Sequence, residues 1–307
     1  MTLLTVEQLT KTFGGTCAVD GIGFTIHEGR CVALLGPNGA GKTTTIRMLT
    51  GLLAPTSGRI AFRGFAPGAD HRSVIGFLPQ IPALYGWMTG QEFLIYAGRL
   101  CGLSAKEAQI RCSGLLERVG IASAAKRRIA GYSGGMKQRL GLAQALIHRP
   151  KLLILDEPVS ALDPIGRREV MELLRELKQE TTILFSTHVL HDAEELCDDV
   201  LIMRAGRIAV GGAVSEIRNE HRQPILTLEI EQDEQSRNWL RGWLQAPPAY
   251  VQSTSANGGG ARLVVTDVHA ARRSLMGELL ESDVRFTKLE IGHTTLEDLF
   301  MKVVTAS

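Results

Sequence analysis

The 307-residue sequence predicts an α/β core followed by a small ferredoxin-like α+β domain. Three observations lead there. Short apolar segments alternate with helical ones through the first two-thirds of the chain, the pattern of strands joined by crossover helices. The apolar segment Cys31–Leu35 runs into a glycine-rich turn and then a helix at Lys42–Leu49, the order a phosphate-binding site requires. The stretch Pro224–Ser307 reads strand, helix, strand, strand, helix, strand, the split βαβ order.

Each element has its own signal. Leu3–Leu9 and Ala18–Ile26 carry partly alternating β-branched and apolar residues and read as strands. Ile60–Phe65 and Val74–Leu78 are two further short strands. From Thr89 the period lengthens to 3.6, with Phe93, Leu94, Ala97 and Leu100 in register, which predicts a helical insert over about 89–150. Within it, Gly134–His148 opens on glycines and stops before Pro150. Leu152–Leu155 is uninterruptedly apolar, the mark of a strand buried on both faces of a parallel sheet. Helix Ile165–Leu177, strand Thr182–Phe185, helix His191–Glu195 and strand Val200–Met203 complete the core, which is predicted to be a mixed sheet. Gly211–Gly212 and Pro224 bracket a polar segment, so the domain boundary is placed there, giving domains 1–220 and 221–307. The second reads β Ile225–Ile230, α Gln235–Leu244, β Tyr250–Thr254, β Arg262–Val265, α Ala270–Leu280 and β Arg285–Ile291, with a closing helix near Thr295–Val303.

Composition narrows the function classes. Hydrophobic and charged fractions of 44% and 21% are those of an ordinary globular protein. A formal net charge of +2 is too small for a general binder of nucleic acid or anionic membrane. The five cysteines are scattered and form no C-x-x-C pair, which argues against a disulfide framework or zinc site and for a reducing compartment. The start lacks a basic flank followed by an apolar run, and no stretch is apolar enough to span a bilayer. The chain is therefore expected in the cytoplasm, with any membrane association made through a partner.

Gly36-Pro37-Asn38-Gly39-Ala40-Gly41-Lys42-Thr43, followed by Thr44, matches G-x-x-x-x-G-K-S/T, the P-loop of nucleoside triphosphatases. Glycines let the backbone curl so that several N–H groups face a phosphate, and the helix that starts there adds its positive end. Lys42 supplies a compact cation for the β- and γ-phosphates, and the Thr43 hydroxyl suits Mg²⁺. Downstream, the strand Leu152–Leu155 delivers Asp156 and Glu157 to its carboxyl end, where ligands of α/β sheets gather. Asp156 can hold Mg²⁺ through water, and Glu157 can orient and polarise an attacking water as general base.

Tyr132-Ser133-Gly134-Gly135-Met136-Lys137-Gln138-Arg139 resembles the signature, usually L-S-G-G-Q, of ATP-binding cassette (ABC) proteins. Ser160-Ala161-Leu162-Asp163 resembles that family's D-loop, His188 its switch histidine and Gln80 its Q-loop glutamine, which reaches Mg²⁺ and the lytic water. Phe13 stands where the family carries an aromatic residue that stacks on adenine. The likeness covers about residues 1–215. Tyr132 and Met136 depart from the usual signature, while Ser133, Gly134 and Gly135, which make the family's phosphate contacts, are kept.

The resemblance implies a P-loop ABC ATPase that binds ATP with Mg²⁺ and pairs with a second cassette, in a homodimer or heterodimer. Ser133, Gly134 and Gly135 of one cassette would complete the site of the other, His188 would contact the γ-phosphate, and Asp163 would belong to the nucleotide-binding set. It also implies a peripheral subunit on the cytoplasmic face of the cell membrane, energising an integral membrane permease and binding no nucleic acid. The signature variant and the closing Thr295-Leu296-Glu297-Asp298-Leu299-Phe300 are similar to those of cassettes serving export permeases of the multidrug, antibiotic and lipid-linked kind. The apolar stretch Ile81–Met88 either receives the permease or packs onto the helical insert. The accessory domain either stabilises or regulates the dimer, or caps the core passively. A non-transport ABC ATPase is the alternative of a different class, disfavoured by the single cassette and the lack of a heptad run; a P-loop small-molecule kinase is a third, disfavoured by the signature and by Glu157.

Overall fold

The computed structural model describes every residue except Pro67, Ala161, His221, Gly258, Ala306 and Ser307. The chain forms two compact units, Met1–Val214 and Ser215–Ser307.

The first unit contains β1 (Thr2–Phe13), β2 (Thr16–His27), β3 (Cys31–Leu35), α1 (Lys42–Leu49), β4 (Ser57–Phe62), β5 (Ile75–Leu78), α2 (Gly90–Leu100), α3 (Ala105–Arg118), α4 (Gly134–Leu146), β6 (Leu152–Asp156), α5 (Pro164–Leu177), β7 (Thr182–Thr187), α6 (Leu190–Leu196), β8 (Asp199–Arg204), β9 (Arg207–Ala213) and the start of α7 (Val214–Glu220). Its main sheet has the order β5-β6-β7-β3-β8-β9, parallel except for β9. β3, β6 and β7 are buried along their whole lengths, as uninterrupted apolar strands in a parallel sheet must be. A second, antiparallel sheet of order β2-β1-β4 packs its apolar face into the same core, where Leu4, Leu9 and Ile26 meet Leu34, Ile46 and Ile154.

Register, more than any single residue, assembles the site. Leu35 lies opposite Thr187, Asp156 opposite Ser186, and Leu78 opposite Leu155. The carboxyl ends of four neighbouring parallel strands therefore finish at one edge, and the segments that follow them converge. The helical insert is punctuated by two capping boxes. The Thr89 and Ser104 side chains each accept the backbone N–H three residues on, while Glu92 and Glu107 reach back to the cap amides.

Gly211 and Gly212, read above as flanking a boundary, lie inside β9, paired with Leu201 and Val200. A Cβ at Gly211 would come within 2.9 Å of the Leu201 side chain, so the glycine serves close strand packing rather than a linker. α7 occupies the polar segment that follows.

The second unit holds β10 (Pro224–Ile230), α8 (Glu234–Gln245), β11 (Val251–Asn257), β12 (Gly260–Val265), α9 (Val268–Glu281), β13 (Phe286–His293) and α10 (Leu296–Thr305). The antiparallel order β11-β12-β10-β13 is the ferredoxin-like arrangement. Leu226, Leu228 and Leu263 of the sheet pack against Leu240, Trp243 and Leu275 of the helices. The Trp243 indole N–H donates to Glu278 at 2.6 Å, which satisfies its one buried donor.

Candidate functional site

Strand β3 ends at Leu35, and the chain from Gly36 to Gly41 wraps a turn before α1 begins. Gly41 has φ 103, and a Cβ there would lie 2.6 Å from the Ala18 carbonyl oxygen, so only glycine fits. Gly39, at φ 81, has nothing within 4 Å of its missing Cβ, which leaves that side of the loop open. The loop lines a cavity of about 290 Å³ together with Lys42, Thr43, Thr44, Gln80, Glu157, Ser160 and His188.

Lys42 is only 6% exposed. Its ammonium donates to the carbonyls of Gly36 at 2.7 Å and Pro37 at 3.2 Å, and lies 3.8 Å from Glu157. Burial pushes its pKa below the ordinary lysine value, and the neighbouring Glu157 and Asp156 carboxylates pull it back. Such a cation, partly desolvated and held by weak carbonyl partners, is well suited to trade them for phosphate oxygens.

The acidic pair sits at the end of β6. Asp156 Oδ1 accepts from the Ser186 hydroxyl at 2.6 Å and from the Thr43 hydroxyl at 3.3 Å. Glu157 turns out of the strand with φ 50, a left-handed conformation that a non-glycine residue adopts only under constraint. Its amide donates to the same Ser186 hydroxyl at 3.0 Å, and its Oε2 lies 2.8 Å from His188 Nδ1. One serine of β7 thus fixes both acidic residues. The Thr43 hydroxyl, the Asp156 carboxylate and the Gln80 amide form an all-oxygen donor set beside the cradle, which fits Mg²⁺ completing its shell with phosphate and water.

Sequence-predicted residues divide into two groups. Asn38, Gly39, Ala40, Gly41, Lys42, Thr43, Thr44, Gln80, Glu157 and His188 line one cavity, with Gly36, Pro37 and Asp156 directly behind them. Ser133, Gly134, Gly135, Asp163 and Phe13 do not. Ser133 caps α4, accepting the Met136 N–H at 3.2 Å, and it and Gly134 face solvent. Asp163 caps α5 through the Gly166 N–H at 2.8 Å and is also exposed. Ala161, read as part of the D-loop, is outside the described residues. Phe13 ends β1, 48% exposed, with the Lys11 ammonium 5.2 Å from its ring centroid.

Three contributors escaped sequence reasoning. Ala18 lines the cavity from β2, and an alanine in a strand carries no signal of that role. Ser186 had one: a buried strand beside the acidic one ending on hydroxyls, Ser186-Thr187. Gln138, 4% exposed inside α4, donates to the Pro158 carbonyl at 3.0 Å and ties the signature helix to the turn that carries Glu157.

This fold and cavity define a P-loop ATPase with a separately folded accessory domain. The family model for ABC transporters matches residues 19–160, and that for the C-terminal domain of DrrA1-3-like ATP-binding proteins matches residues 212–304. The chain is 49% identical over 304 residues to the uncharacterized ABC transporter ATP-binding protein YxlF of Bacillus subtilis, covering 99% of this chain and all of that one. It is 33% identical over 309 residues to the bacitracin transport ATP-binding protein BcrA of Bacillus licheniformis, covering 99% and 97%. A solved structure of an ATP binding subunit of an ABC transporter superposes with a TM-score of 0.65 at 34% identity, covering 71% of this chain and 92% of that one. The chain belongs to the ABC transporter ATP-binding family and is an ATP-binding, ATP-hydrolysing subunit. Among the described residues no helix is long and apolar enough to cross a membrane.

Proposed function

We propose that this subunit powers export of drug- or antibiotic-like molecules through a separate integral membrane permease, docked at the cytoplasmic face of the membrane. The relatives' printed roles, bacitracin transport among them, support the export class. The observation that carries the permease reading is an apolar groove of about 290 Å³ lined by Phe77, Tyr85, Phe93, Tyr96 and Leu100, among others. Around it large apolar side chains face water, with Ile81 84%, Trp87 73% and Leu100 70% exposed. The groove is bordered by the segment after Gln80, so a partner seated there adjoins the nucleotide cavity.

In the mechanism we infer, Lys42 leaves the Gly36 and Pro37 carbonyls for the β- and γ-phosphates of ATP, and the loop amides hold the rest. Thr43, Asp156 and Gln80 would hold Mg²⁺, whose chemistry is to neutralise charge developing on the phosphates. Glu157 takes the proton of the attacking water, and His188, its hydrogen-bond partner, is placed to hold the γ-phosphate. Phe13 offers a flat face for adenine. Ser133, Gly134 and Gly135 open a helix toward solvent, outside their own chain's cavity, which supports a second cassette supplying that end to complete the site. Asp163, exposed at the start of α5, would add a further contact to that nucleotide. The accessory domain, roughly residues 221–307, would stabilise or regulate that dimer.

Co-expression with the permease encoded beside this chain tests the proposal. The wild-type subunit should co-purify with it in detergent, and Tyr85→Ala with Trp87→Ala should lose at least tenfold of that recovery while still binding ATP. Recovery unchanged by the double substitution would remove the groove from the docking role.

A further inference from the structure

We propose that a second cavity of the cassette binds a small amphipathic organic anion, an acidic head on an apolar body. This cavity has a volume of about 570 Å³, against about 290 Å³ for the nucleotide cavity, and shares none of its lining residues. That size is in the range of small-molecule sites. Its walls come from α3, the end of α4 with the turn into β6, and the end of α5.

Its chemistry is two-sided. The floor includes Ile147 and Leu177, which are 0% and 1% exposed. The rim carries three guanidiniums, Arg111, Arg118 and Arg149, against one carboxylate, Glu180, a formal excess of two positive charges. Glu180 is already engaged, accepting Arg118 bidentately at 2.7 and 2.8 Å. Arg111 donates one N–H to the Ile147 carbonyl at 3.1 Å, capping α4, and keeps its other donors. Arg149 makes no ion pair within 4 Å among the described residues, and its charge acts on Glu180 only at longer range, behind the bidentate Arg118.

Arg149 is also the strained member. It has φ 56, and its amide donates to the Leu146 carbonyl at 3.0 Å, the left-handed close of a helix where glycine is the usual residue. The backbone turn does not need an arginine. What arginine adds at this position is charge over an apolar floor, and strain of this kind is kept where a site uses it. An inorganic anion would leave the floor unused, and a neutral apolar ligand would leave the guanidiniums unused. A carboxylate or sulfonate with a hydrocarbon or aromatic body uses both.

The substitution Arg149→Gly separates site from scaffold, because it removes the charge and relieves the backbone. The full chain, saturated with Mg-ATP to fill the nucleotide cavity, is titrated with 8-anilinonaphthalene-1-sulfonate, followed by displacement with octanoate, 1-octanol or inorganic phosphate. We expect one saturable probe site, displaced by octanoate and not by 1-octanol or phosphate. Arg149→Gly should weaken octanoate at least tenfold with a melting temperature no lower than wild type, and Arg149→Lys should stay within about threefold of wild type. Unchanged octanoate affinity in Arg149→Gly, equal displacement by 1-octanol, or a probe signal abolished by Tyr85→Ala with Trp87→Ala would each overturn the proposal.

Discussion

Ser186→Ala is the substitution that most sharply tests how the acidic pair is held. Ser186 is fully buried in β7, and its hydroxyl donates to Asp156 at 2.6 Å while accepting the Glu157 amide at 3.0 Å. Alanine fits the space but leaves the Glu157 N–H without its partner, at a cost of about 1–3 kcal/mol, and removes a hydrogen bond to a charged group worth about 1.5–3 kcal/mol. Because the serine's own desolvation is relieved at the same time, these figures do not add, and a net loss of roughly 2–3 kcal/mol of stability is expected. The kinetic effect should be larger than the loss of fold. Glu157 holds its left-handed φ of 50 against that amide bond, and a misplacement of about 1 Å in a catalytic group can cost on the order of 10²-fold in rate. Phosphate release from Mg-ATP should therefore fall about 10²-fold, while ATP affinity, set by the cradle, should change less than about threefold. Steady-state phosphate release, equilibrium dialysis with labelled ATP and thermal unfolding read the three quantities. Wild-type turnover together with an unchanged melting temperature would refute the role given to Ser186.

Lys42→Ala should weaken ATP binding by at least about tenfold, since it deletes the buried cation at the cradle, and equilibrium dialysis measures it; an unchanged affinity would contradict the phosphate assignment. The cysteines should divide by burial. Cys17 and Cys101 should be alkylated by iodoacetamide at pH 8 under native conditions, while Cys31, Cys112 and Cys197 stay protected, as intact and peptide mass spectrometry would show. Burial raises the Cys112 thiol from 9.0 to about 11, so the folded chain binds a proton that the unfolded chain releases in that interval. Stability conferred by this group is complete below pH 9 and falls as pH rises toward 11, by roughly 2–3 kcal/mol. Chemical unfolding of wild type and Cys112→Ala across that range should show the steeper decline in wild type, and parallel curves would contradict it.

The residues proposed to hold phosphate were legible in the sequence because their chemistry dictates their identity. A backbone that must curl around an anion calls for Gly39 and Gly41, and charge neutralisation calls for Lys42. Asp156 and Glu157 were legible because a buried parallel strand is a continuous apolar run that stops where the site begins. The ferredoxin-like order of the second unit was equally plain, since its strands and helices alternate in period. What escaped depends on register between distant segments. Ser186 meets Asp156 only because β6 and β7 align those two positions, and nothing within Thr182–Thr187 specifies that alignment. Gly211 and Gly212 carried the composition of a linker, yet both lie in β9, where Gly211 allows the close approach to Leu201. Arg149 resembled any basic residue before a proline until its backbone angle was known.

The central claim is that Lys42 and the loop amides grip ATP while Glu157 activates the water that cleaves it. Glu157→Gln keeps the shape of the side chain and removes its basicity, so binding and hydrolysis separate in one protein. Given Mg-ATP and the permease, this variant should retain labelled ATP and release inorganic phosphate at less than about a hundredth of the wild-type rate. Release at the wild-type rate, or failure of the wild-type subunit itself to hold ATP, would contradict the account.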